Sequence, residues 1–366
     1  MSGTGRHLAV HAGGALVAVA LACAVPLLAS VLTGHSWAFP LSVLALAIAA
    51  MLVGFVAKVL RWMRAPVPFR IPLTVGQQRS LVGLAHDRTG APHTTGQTVV
   101  RALLDIVLLR PLTRSTPSAR QLSSSLDHGT HRSLWFAAML FHGSFAVIAL
   151  RHLRLFLEPV PAFVAWLERV DAAGDVMLPR LHASSVVFVL AMAFLLGRRL
   201  WLARLRYISM AADYFPLLLL IAIAATGLLM RHVVRADIPA VKGLVTGIAS
   251  GTLVLPPTVD LLLAIHLFLV SALVAYFPLS KLMHAPGVWL SPTLTLANNT
   301  RERRHVNPNN PRVETLHYAD YENAFRDAMI EAGLPVESRG RSRALPGGAQ
   351  PREGMGTLPG VPYLKD

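Results

Sequence analysis

FHGSFAVIALRHLRLF, residues 141–156, lies in a run apolar enough to cross a membrane, yet it holds His142 and His152. An unpartnered imidazole in hydrocarbon is costly, so two on one apolar segment call for a metal, a proton pathway or a hydrogen-bonded bundle interior. A second pair bounds HLFLVSALVAYFPLSKLMH, residues 266–284, where His266 and His284 stand eighteen residues apart. Helical rise puts about 15 Å between the first two histidines and about 27 Å between the second two.

Composition frames that pattern. Of 366 residues, 54% are hydrophobic and 14% charged, which points to repeated membrane crossing rather than a large soluble core. The formal charge of +15 sits at the ends of apolar runs, not in an aromatic-interleaved patch, and so reads as topology rather than nucleic-acid binding. Cys23 is the only cysteine, which excludes a disulfide framework, a thiolate-held iron–sulfur cluster and covalent CxxCH haem attachment. The N-terminal stretch has the look of a signal peptide, but its apolar character continues past Leu28, and it reads as a retained transmembrane helix.

Runs long enough to span occur at about 8–32, 38–60, 134–157, 181–200, 213–231 and 258–283. The expected fold is an all-α integral membrane protein with six transmembrane helices. The stretch from Arg61 to Arg132 has ten arginines against Asp87, Asp105 and Asp127, and Arg198, Arg199, Arg204 and Arg206 follow span four. These mark the cytoplasmic face, so both termini are expected in the cytoplasm and the protein in a bacterial inner membrane. Residues 98–110 are too short and charged to span and read as an interfacial helix. The organisation expected is two helices in 1–60, a cytoplasmic loop in 61–132, a four-helix core in 133–290 and a cytoplasmic tail in 291–366. In the tail, Tyr318, Tyr321, Phe325, Ala328, Met329 and Ala332 line one face of a short helix, for a membrane surface or a partner subunit.

Spans three and six run in opposite directions, so depth pairs His142 with His284 on the inner side and His152 with His266 on the outer side. Each pair can ligate one haem b iron axially, the flat ring slotting between helices. The angular arithmetic is looser: eighteen steps return to one helix face, whereas ten leave roughly 80° between His142 and His152. A proton-coupled transporter is the competing use, and its spans should carry acids that these almost lack. Arg132 on the inner side and Arg151, Arg154 and Arg231 on the outer side are candidates to neutralise haem propionates, although helix-end arginines are also ordinary topology markers. His182 and His232 flank spans four and five on the outer side. Spacing alone leaves them open as alternative ligands; His182, with Arg180 close by, is the candidate quinone site.

The spacings of ten and eighteen, embedded in FHGSFAVIALRH and HLFLVSALVAYFPLSKLMH, resemble the NarI family, the gamma subunit of respiratory nitrate reductase, over residues 134–290. The resemblance implies a dihaem cytochrome b that exchanges electrons with the quinone pool. It also implies that His142 and His284 hold the inner haem and His152 and His266 the outer one. The additional span before the core and the tail NPNNPRVETLHYADYENAFRDAMIEAGLPVE resemble the DsrM-type membrane cytochromes of DsrMKJOP complexes in dissimilatory sulfur metabolism. That resemblance implies a DsrK-like iron–sulfur subunit as cytoplasmic partner, alongside the other DsrMKJOP subunits. The lysine associated with quinol binding in the NarI family has no clear counterpart; Arg180 and His182 stand there instead. The alternatives are the gamma subunit of another quinone-linked reductase, of nitrate or heterodisulfide type, and a haem-free membrane anchor or transporter.

Overall fold

The computed structural model describes residues 3–65, 77–114, 126–172, 182–252, 255, 258–300, 302–303 and 317–337. Among them every regular element is helical. Six helices are long and apolar enough to span a membrane, covering His7–Thr33, Ala38–Arg64, Arg132–Leu155, Ala183–Trp201, Ala211–Val234 and Leu261–Leu279. Many of their large side chains face outward, such as Val31 at 79%, Leu46 at 70% and Val53 at 71% exposure. Such apolar surface suits lipid, not water, and the chain is a multi-pass membrane protein.

The helices are α1 (Gly3–Thr33), α2 (Ala38–Arg64), α3 (Thr95–Val107), α4 (Pro111–Arg114), α5 (Leu126–His152), α6 (Ala162–Asp171) and α7 (Ala183–Trp201). They continue as α8 (Ala203–Ile208), α9 (Ala211–Leu229), α10 (Ile238–Ser250), α11 (Leu261–Tyr276), α12 (His284–Leu290), α13 (Pro292–Thr295) and α14 (Tyr318–Glu331). Helix α5 packs on α7, α7 on α9 and α9 on α11; α1 lies against both α9 and α11, and α2 lies against α11. Aliphatic and aromatic residues with one methionine make these seams. Val19 of α1, Leu219 of α9 and Leu269 of α11 form one buried cluster, and Phe188 and Met192 of α7 with Leu220 of α9 form another, flanked by Phe141 and Ile148 of α5. With lipid as apolar as leucine, such seams are held by close packing rather than by removal of water.

Side-chain oxygens start several helices. Thr94 accepts from the Gln97 amide, Asp237 from that of Ala240 and Asp260 from those of Leu262 and Leu263, each satisfying donors that the helix leaves unpaired. The expected interfacial segment at 98–110 is helical as far as Val107 in α3, where Arg101 donates to Asp105, and Arg110, just beyond the helix, donates to the same carboxylate. The indole of Trp135, within α5, donates across 2.7 Å to the carbonyl of Leu108, the residue that caps α3, tying the two helices.

Two features depart from the sequence reading. The connection after span five contains α10, with Gly251 closing it in the left-handed region (φ 74°). The final span is not one straight helix as far as residue 283. Regular α-helix ends at Tyr276, and two 3₁₀ turns, Phe277–Leu279 and Lys281–Met283, precede His284. Pro278 supplies the reason, because it cannot continue the hydrogen-bond ladder, and the Ser280 hydroxyl then caps the next turn by accepting from the Leu282 amide. The 27 Å separation of a straight helix therefore does not apply to His266 and His284.

The described residues 317–337 belong to a second unit, separate from the helices before it. Within it, buried Glu322 pairs with Arg326 and accepts from the Glu337 amide, while Tyr318 and Phe325 are about half exposed.

Candidate functional site

Helix α5 presents His142 mid-span and ends on His152; His266 lies in the second turn of α11, and His284 opens α12. In three of these four residues Nδ1 bonds a main-chain carbonyl: His142 to Ala138 (2.7 Å), His152 to Ile148 (2.7 Å) and His284 to Lys281 (2.9 Å). A carbonyl can only accept, so Nδ1 carries the proton and Nε2 keeps its lone pair. For His266 the partner is the Thr226 hydroxyl at 2.8 Å. That hydroxyl lies 2.9 Å from the Ala222 carbonyl and 3.0 Å from that of Ile223, so it donates there and accepts from the imidazole. All four rings thus take the tautomer that metal-binding histidines use, with the distal edge held by the protein.

The structure brings His142 and His284 together: their ring centroids lie 6.1 Å apart with the planes at 89°. Two metal–nitrogen bonds of about 2 Å, with each ring centre roughly 1 Å behind its nitrogen, give about 6 Å across one iron. The spacing fits an axial bis-imidazole pair. His152 and His266 lie within electrostatic range of each other. Close beside the rings, Phe141 meets His142 edge-on at 4.9 Å and stacks on Phe188, and Gly227 lies against the His266 ring. Among the described residues, no three His, Cys, Asp or Glu side chains converge as a metal-ion cage. A porphyrin supplies its own equatorial nitrogens and asks the protein only for axial ligands.

The arginines separate into different settings. Arg132 is exposed at the start of its span, and Arg154 donates to Glu168 at 2.8 Å. Arg151 is mostly buried and donates to Asp171 at 2.7 Å and Ser184 at 3.3 Å, while its Nε is buried without a hydrogen-bond partner among the described residues. Arg231, exposed, lies within electrostatic range of Arg151. The cationic pair and the orphaned Nε–H suit an anionic carboxylate. His182 is buried at the head of α7, two residues from Ser184, and His232 is partly buried in the π turn Met230–Val234 that ends α9. Arg180 lies outside the described residues.

Three contributors escaped the sequence reading. Thr226, forty residues before His266, has only its hydroxyl in an apolar span as a signal. Asp171 accepts from both the amide and the hydroxyl of Ser184, and so joins α6 to the start of α7. Asp213, an acid in the first turn of span five, accepts from the Met210 amide at 3.0 Å and from Lys281 at 2.6 Å.

A family model described as the nitrate reductase gamma subunit matches residues 109–300. Two curated relatives are each named Hdr-like menaquinol oxidoreductase cytochrome b-like subunit. The one from Archaeoglobus fulgidus is 38% identical over 273 residues, covering 73% of this chain and 81% of its own length. The one from Archaeoglobus profundus is 38% identical over 276 residues, with the same coverage.

Proposed function

The chain belongs to the nitrate reductase gamma subunit family, and on that premise we propose that it is a dihaem membrane electron-transfer subunit linking the quinone pool to a cytoplasmic iron–sulfur protein. The observation that carries the reading is the pair His142 and His284, their ring centroids 6.1 Å apart, a spacing that suits one bis-imidazole iron, with Nδ1 of each ring already committed. His142 and His284 hold one haem b on the arginine-rich side, and His152 and His266 hold the other on the opposite side. When bound, the two groups supply one-electron carriers at two depths of the membrane.

Around them the protein holds rings, charges and protons. Thr226 keeps the His266 proton on Nδ1, and the Ala138, Ile148 and Lys281 carbonyls do the same for the other three. Arg151 and Arg231 are the cations that would neutralise propionates of the outer group. His182, near the Arg151–Asp171–Ser184 network and next in sequence but one to Arg180, is the residue assigned to bind and deprotonate quinol. The relatives' names support menaquinol as the quinol. The partner in this reading is a DsrK-like iron–sulfur subunit of a DsrMKJOP-type complex in sulfur metabolism, docked in part by the exposed face of α14.

Purified protein tests this directly. A reduced-minus-oxidised difference spectrum should show b-type bands, and a short-chain menaquinol analogue should reduce them. Absence of any haem absorbance from folded, membrane-extracted protein would return the chain to the anchor or transporter reading.

A further inference from the structure

His284 is held differently from the other three histidines. His142, His152 and His266 stand on continuous α-helix, whose own ladder fixes their backbone. His284 follows a helix break, two 3₁₀ turns and a proline, and its Nδ1 bonds the carbonyl of Lys281, three residues back. Whatever fixes Lys281 therefore fixes the ring of His284.

What fixes Lys281 is Asp213. The carboxylate is buried, with its side chain 9% exposed, whereas the Lys281 side chain is 67% exposed, so the acid is the stationary end of the pair. Asp213 Oδ2 accepts from the Met210 amide at 3.0 Å and Oδ1 accepts from Lys281 Nζ at 2.6 Å, with Arg199 Nη1 3.9 Å from Oδ1. The same segment is pinned from its other side by α2. A Cβ on Gly54 would meet Pro278 Cγ at 2.8 Å, and one on Gly287 would meet the Trp62 ring at 3.4 Å. Among the described residues, the polar anchor of this irregular stretch is the Asp213–Lys281 pair.

We propose that Asp213 and Lys281 are positioning residues that set the orientation of the His284 imidazole through the Lys281 carbonyl. The inference rests on His284 being an axial ligand. Releasing Lys281 loosens the Nδ1–H···O=C bond, which makes the imidazole a weaker donor and lets its plane rotate.

The experiment uses full-length, haem-loaded protein with Asp213→Asn, Lys281→Met and Lys281→Arg. The Asn keeps an oxygen for the Met210 amide, and Lys281→Met leaves that cap untouched, so a folding defect in one leaves the other informative. The readouts are the low-spin electron paramagnetic resonance signal and the midpoint potential of each haem. Positioning predicts that Asp213→Asn and Lys281→Met both change the signal of the inner haem and shift its potential upward. It also predicts that Lys281→Arg stays close to wild type and that the outer haem is unmoved in all three. If the pair acts through charge alone, removing the anion and removing the cation shift the potential in opposite directions with the resonance signal unchanged, and the proposal is overturned. Wild-type behaviour of both variants also overturns it, while leaving the ligand reading intact if His284→Ala still loses the inner haem. Retention of that haem by His284→Ala breaks the underlying reading instead.

Discussion

Arg151 donates to Asp171 across 2.7 Å, and the same carboxylate accepts from the amide and hydroxyl of Ser184, so one acid joins the end of α5, helix α6 and the start of α7. The guanidinium is 13% exposed and the carboxylate 5%. Removing one partner of such a buried pair typically costs about 3 kcal/mol or more, because the other charge is left uncompensated. Asp171→Ala should therefore lower the thermal unfolding midpoint in detergent markedly, and Arg151→Met should do the same. A combined Arg151→Met, Asp171→Leu variant should recover part of the loss. Midpoints at wild-type level in both single variants would show that the network contributes no stability.

His182→Ala should weaken reduction by a menaquinol analogue severalfold with both haem spectra retained, since the residue is assigned to quinol and not to iron. Steady-state reduction rates, measured beside haem content, separate the two. Loss of a haem would make His182 a ligand and overturn the assignment.

Gly54→Leu should disturb the inner haem in preference to the outer one. Its side chain must displace Pro278, within 2.8 Å of the position a Cβ would occupy, and so shift the segment that carries His284. Overpacking of this kind costs about 1–3 kcal/mol. Unchanged spectra for both haems would mean that the Pro278 contact plays no part in holding His284.

Deletion after Asn310 should keep membrane insertion and both haem spectra, yet lose the iron–sulfur partner on affinity purification. That cut removes α14 with the second unit and retains Glu302, which lies 3.1 Å from His93. A cut after Thr300 would sever that contact as well. Recovery of the intact complex from the shortened chain would assign the face of Tyr318 and Phe325 to the membrane surface instead.

The six spans were legible because about twenty apolar residues in a row have few other uses, and the arginine-rich connections stand out beside them. That the His142 and His284 rings come close together was legible from depth, since antiparallel helices bring opposite ends together. The break after Tyr276 was less so: proline is tolerated in membrane helices, and hydropathy continues unchanged through Phe277, Pro278 and Leu279. Lys281 finds Asp213 sixty-eight residues away, and Thr226 meets His266 across forty. Contacts between different spans leave no periodic trace in the chain. Helices α6 and α10 carry no comparable signal, because both are too short to span and prolines that suggest loops stand beside them.

The central claim is that four histidines hold two haems in the pairs His142 with His284 and His152 with His266. It is tested most directly by haem content per polypeptide in the four single His→Ala variants, purified under one protocol and compared with wild type. The account predicts about two haems in wild type and about one in each variant. His142→Ala and His284→Ala should lose the same spectral component, and His152→Ala and His266→Ala the other. A folded variant that keeps both haems with unchanged spectra, or two variants of one pair that lose different components, would contradict it.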